Sequence, residues 1–101
     1  MSDFKIEFPP GYEDYAWEVE SKGWLQGVTA TIAGRRYRLT FYEPTSLAQD
    51  VRNELATSTM FFEPNLLVVP ETTRDCMTAA IADLARTGAF RFLLPEDVGS
   101  V

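Results

Sequence analysis

Carboxylates are the residues of this chain best placed, by number, to do chemistry. Glu63 and Glu71 sit at turns flanking the apolar run Leu66–Val69. If they met in a pocket beside Tyr12 or Tyr15, they could act as a general acid and base. Glu18 and Glu20 are two residues apart, a spacing that shares one face of a strand. No spacing among the carboxylates selects a catalytic pair. The chain has no histidine, which removes imidazole metal ligation and Ser-His or Cys-His nucleophilic catalysis within one subunit.

Cys76 is the only cysteine. It cannot form an intrachain disulfide, and one subunit cannot build a four-thiolate metal site. Near a helix start its thiolate would be favoured, but a cysteine also packs well as a small core residue. Thr72-Thr73-Arg74-Asp75 could present amides to an anion at that same helix start; threonine capping accounts for the same letters with less. The glycines form neither a P-loop nor a dinucleotide fingerprint. No metal and no cofactor is expected.

Arg35, Arg36 and Arg38 form a local basic group. Three arginines do not make a phosphate-binding surface in a chain of net charge -6. Six acids against one lysine in the first twenty residues favour solubility and a basic protein partner over nucleic acid. No run reaches the roughly twenty apolar residues of a membrane span, and the start, MSDFKIEF, lacks a secretory leader's basic and apolar regions. A cytoplasmic location is therefore expected.

These groups must be held by a scaffold. A chain of 101 residues, 46% hydrophobic and 13% aromatic, is enough for one domain with a real core. Residues 1–101 read as a single α+β domain, with 95–101 as a short tail. The organising stretch is Trp24–Tyr42, two alternating runs around Gly34. A two-residue type II′ turn at Gly34-Arg35 would pair Ile32 with Tyr37, Ala30 with Leu39 and Val28 with Phe41, all on one core face with Trp24. Alternation in Ala16–Ser21 predicts a preceding strand, joined by a turn at Lys22-Gly23. Phe4–Phe8 alternates too and predicts an edge strand or extended arm.

Ser46 with Gln49 fits a capping box ahead of Leu47, Val51 and Leu55. Thr72 or Thr73 caps a second helix with the stripe Met77, Ala80, Ile81, Leu84 and Ala85, ending at Gly88. Leu66–Val69 reads as a buried, rather central strand, and Ala89–Leu94 as a final short one. The expected fold is a two-layer α+β domain: a largely antiparallel or mixed sheet of four to six strands carrying two helices on one face.

That layout leaves the opposite sheet face free. It would hold Leu25, Arg36, Arg38 and Tyr42, with Glu18 and Glu20 at the rim. An apolar centre within a polar border suits recognition of another protein or of a second copy. The expected function is thus a non-enzymatic protein-interaction module, such as an inhibitor, immunity protein or accessory subunit. The alternatives are a small enzyme built on the Glu63, Glu71 and tyrosine pocket, or a homo-oligomer formed through the sheet face or the N-terminal strand.

Overall fold

The computed structural model describes residues 3–96. Strand β1 (Phe4–Glu7) leads through Pro9-Pro10-Gly11 into helix α1 (Tyr12–Lys22). Strands β2 (Trp24–Ile32) and β3 (Arg35–Tyr42) follow, then α2 (Pro44–Leu55), β4 (Leu66–Val68), α3 (Arg74–Thr87) and a single 3-10 turn over Ala89–Phe92. The sheet is mixed, in the order β1-β2-β3-β4, antiparallel except for the β3/β4 pair. The class is α+β as expected, and the described residues form four strands, but three helices rather than two.

The first correction is α1. Residues Ala16–Ser21 are helical, not a strand, so Glu18 and Glu20 lie on a helix and not beside the sheet. Tyr12, Tyr15/Ala16 and Val19 repeat at the helical spacing and face the core, while Trp17, which set the two-residue alternation, is exposed. Glu13 and Asp14 in the first turn and Lys22 in the last suit the helix dipole. Gly23 ends the helix at φ 81, its N–H bonded to the Val19 carbonyl, rather than forming a hairpin turn.

The central hairpin forms, with a different turn. Ala33 and Gly34 occupy it, both at positive φ (52 and 82), the signature of a type I′ turn whose twist matches the strands. The register is Ile32↔Arg35, Ala30↔Tyr37 and Val28↔Leu39. It is two residues from the expected one, so every side chain keeps its face: Val28, Ala30, Ile32, Tyr37, Leu39 and Phe41 are all buried together. The exception lies beyond a bulge between Gln26 and Val28, where Gly27 takes φ 84. The extra residue reverses the alternation. Leu25 therefore turns into the core and Trp24 turns out of it, half-buried under the Lys22 ammonium 4.6 Å from its ring centroid.

Helices α1 and α3 cover the core face, contributing Tyr12, Val19, Met77, Ile81 and Ala85 to the cluster around Phe41. Thr72, fully buried between them, donates to the Val19 carbonyl at 2.8 Å. Thr73 caps α3 through the Cys76 amide, and Gly88 ends it as expected. Helix α2 lies on the other side of the sheet. Tyr42, whose side chain points opposite to that of Phe41, donates its hydroxyl to Asp50 of α2 at 2.7 Å. The helices are thus not all on one face.

Helix α2 starts earlier than its capping-box reading. Glu43 is the N-cap, accepting from the Thr45 and Ser46 amides, with Pro44 at the first position. β4 is an edge strand, not a central one: the β3-α2-β4 crossover places it parallel to β3, and no strand among the described residues pairs with its other side. Ala89–Phe92 makes a 3-10 turn instead of a final strand. Of the expected tail, Pro95 and Glu96 are described, and Glu96 pairs with Arg36 at 3.1 Å. Residues 97–101 lie outside the described part. No helix among the described residues is long and apolar enough to cross a membrane.

Candidate functional site on the outer sheet face

The sequence-derived recognition set does not assemble as one surface. Leu25 is buried in the core, and Glu18 and Glu20 belong to α1 in the other layer. Tyr42 faces outward but is buried beneath α2 by its bond to Asp50. Arg36 and Arg38 alone among the six stay exposed on the outer face, opposite Thr31 and Thr29. Burial, the Asp50 hydrogen bond and the charge on Asp50, in that order, push the Tyr42 phenol up to about 12.

The carboxylate pocket does not assemble either. Glu63 lies over the outer face, where its Oε1 accepts from Thr40 Oγ1 at 3.1 Å and from Gln26 Nε2 at 3.3 Å. Glu71 lines a separate cleft with Glu20 and Glu43. Tyr12 is packed under Phe8, ring centroids 4.6 Å apart, beside a third cleft that includes Arg74. Its hydroxyl is buried with no hydrogen-bond partner among the described residues. Burial is the main cause that raises its pKa, with the Glu20 charge second. Among the described residues no trio of Cys, Asp or Glu side chains converges as a metal-ligand set.

Two neighbouring features occupy the outer face instead. The first is a cleft of about 340 Å³ over the bulge, where Arg38, Glu63 and Glu96 share the wall with Pro64, Leu94 and Pro95. Its floor is braced by Asn65, whose side chain donates to the Arg38 and Leu94 carbonyls and accepts from the Leu94 amide. Glu63 and Asn65 are thus anchors for the chain returning from α2. Among the described residues that line the cleft Arg38 is the cation, and Glu96 is engaged by Arg36.

The second feature is apolar. The crossover from α2 to β4 leaves Leu55 49%, Met60 66%, Phe62 73% and Val68 50% exposed. The apolar stripe of α2 is only half-covered: Leu47 and Val51 are intermediate and no α2 side chain is fully buried. The sequence carried a signal for this in Met60-Phe61-Phe62, three large apolar residues between two turns with no periodicity to assign them to a core face.

The outer edge of β4, the strand that carries Val68, is open among the described residues. The Asn65 carbonyl and the Val69 amide both bond to β3. In a parallel ladder the intervening residues alternate, so Leu66 and Val68 point their N–H and C=O groups away from β3. No strand among the described residues pairs with that side. Comparison with protein-family models, with curated proteins and with solved structures finds no match.

Proposed function

We propose that this chain is a non-enzymatic protein-interaction module of the inhibitor or accessory-subunit kind, acting in the cytoplasm. Its recognition face is the α2-to-β4 crossover. The observation that carries this reading is the exposure of Leu55, Met60, Phe62 and Val68 beside an unpaired strand edge. Isolated apolar side chains on a surface need no explanation, but large apolar groups concentrated on one crossover mark an interaction site.

The edge offers backbone hydrogen bonds to an added strand, and the flanking apolar groups offer pockets for alternate side chains. Glu43 to Glu71 carries five carboxylates against Arg52 alone. The fitting partner is therefore a protein that presents an apolar extended segment with basic flanks. Phe62 and Met60 are the anchors, and Glu54 and Glu63 lie in the polar border.

The test is capture of the partner from the native host, followed by a Kd measured with purified components. Met60→Ser with Phe62→Ser should weaken binding by about a hundredfold, as expected for two exposed anchors that become buried. A partner that binds this double variant as tightly as the wild type would refute the assignment.

A further inference from the structure

The other edge of the sheet points to a second copy of the chain. The two-residue hairpin closes on Ile32↔Arg35, a pair that exchanges hydrogen bonds across the turn. Alternation then turns the backbone groups of Thr31 and Thr29 toward β1, where they meet Lys5 and Glu7. Phe4 and Ile6 consequently aim their N–H and C=O groups outward, at an edge that no described strand covers.

The side chains of this edge are unfinished in the same sense. Phe4 and Ile6 stand opposite Ile32 and Ala30, on the core face. Yet Phe4 is 37% exposed, and Ile6 and Phe8 only flank the core cluster. Lys5 and Glu7 are exposed on the other face.

We infer that β1 pairs antiparallel with β1 of a second copy, about a two-fold axis at Ile6, to join the two sheets into one of eight strands. The inference concerns a surface separate from the α2-to-β4 face and does not rest on it. In this register Ile6 meets Ile6 of the copy and Phe4 meets Phe8, which extends both cores across the junction. Lys5 meets Glu7 of the copy, twice by symmetry. Sliding the register by two residues in either direction centres it on Lys5 or on Glu7 and sets like charges face to face, which is destabilising. The chain is self-complementary in charge, apolar content and hydrogen-bond direction at the same register, as an isologous interface requires. Lysine on an edge strand ordinarily discourages pairing; here the glutamate two residues on answers it.

The test is the mass of the full chain by sedimentation from about 1 µM to about 1 mM, a range that spans weak strand-mediated association. The wild type should show a reversible monomer–dimer equilibrium. Lys5→Glu and Glu7→Lys should each weaken it by roughly tenfold, since two attractive contacts become repulsive. Mixing those two variants should restore dimer as a heterodimer, and the double exchange should return the wild-type Kd. A wild type that stays monomeric throughout overturns the inference, as does a double exchange that fails to restore dimerisation. Amide exchange in the wild type gives a second reading that depends on no variant. The Ile6 amide should become more protected as concentration rises, and exchange independent of concentration would count against the pairing.

Discussion

The side chain of Asn65 clasps the backbone of Leu94: its Nδ2 donates to the Leu94 carbonyl and its Oδ1 accepts from the Leu94 amide, both at 2.8 Å. The same Nδ2 reaches the Arg38 carbonyl at 3.1 Å. One residue thus ties the segment after α3 to the start of β4 and to β3. Asn65 also sits at φ 55, a conformation that asparagine tolerates better than most residues. Asn65→Ala should cost about 2–3 kcal/mol, from lost hydrogen bonds and backbone strain together. Asn65→Gly should cost about 1 kcal/mol less, since glycine accepts that φ. Chemical denaturation of the pair, with amide exchange at Leu94, separates the two contributions.

Gly23 joins α1 to β2 where there is no room for a side chain. A Cβ there would collide with Ser46 Oγ and the Glu43 side chain, and φ is 81. Gly34 has a similar φ but nothing within 4 Å of its missing Cβ. Gly23→Ala should therefore destabilise by about 3 kcal/mol or more, and Gly34→Ala by about 1 kcal/mol. Equal losses in urea unfolding would show that the crowding at Gly23 is relieved at little cost.

Ala33 is the weak point of the hairpin. Its φ of 52 costs an alanine about 1 kcal/mol that a glycine or asparagine largely avoids. Ala33→Asn creates the favoured two-residue sequence for this turn, and should raise stability by about 0.5–1 kcal/mol. Ala33→Gly should gain less, because its unfolded chain is freer. A thermal melt of both variants checks the order.

Tyr42 gives the fold an alkaline signature. Its phenol is raised from about 10 to about 12, so the folded chain resists its ionisation. The sign follows from a folded pKa above the unfolded one. That stabilisation is complete below pH 10 and is lost as pH rises from 10 through about 12. Tyr42→Phe should lose about 1 kcal/mol at neutral pH, with the Asp50 hydrogen bond, and should lack this component of alkaline unfolding. Ultraviolet titration of wild type against Tyr42→Phe should show that the variant has lost a phenolate signal near pH 12.

The hairpin, the α2 and α3 segments and the buried set from Val28 to Phe41 were legible because each repeats one period over enough residues. α1 was not. Trp17 and Val19 imitate a strand over six residues, and the helical period shows only when Tyr12 is included. The bulge at Gly27 has a single local mark, an isolated glycine inside a strand pattern, and its one inserted residue reverses every face before it. That single reversal moved Leu25 from the expected recognition face into the core. The same shortness hid the exposure of Met60 and Phe62, since Met60-Phe61-Phe62 has no period and Glu63 and Asn65 anchor the chain beside it.

Crosslinking at Phe62 decides whether the α2-to-β4 crossover is a protein-docking face. A photoreactive residue at Phe62 is compared with one at Trp17, an equally exposed aromatic position on α1, in the native host. The expected result is a discrete adduct with one other protein from Phe62 and none from Trp17, and a purified partner whose Kd rises about a hundredfold with Met60→Ser and Phe62→Ser. Equal crosslinking from both positions, or a partner indifferent to the double substitution, would contradict it.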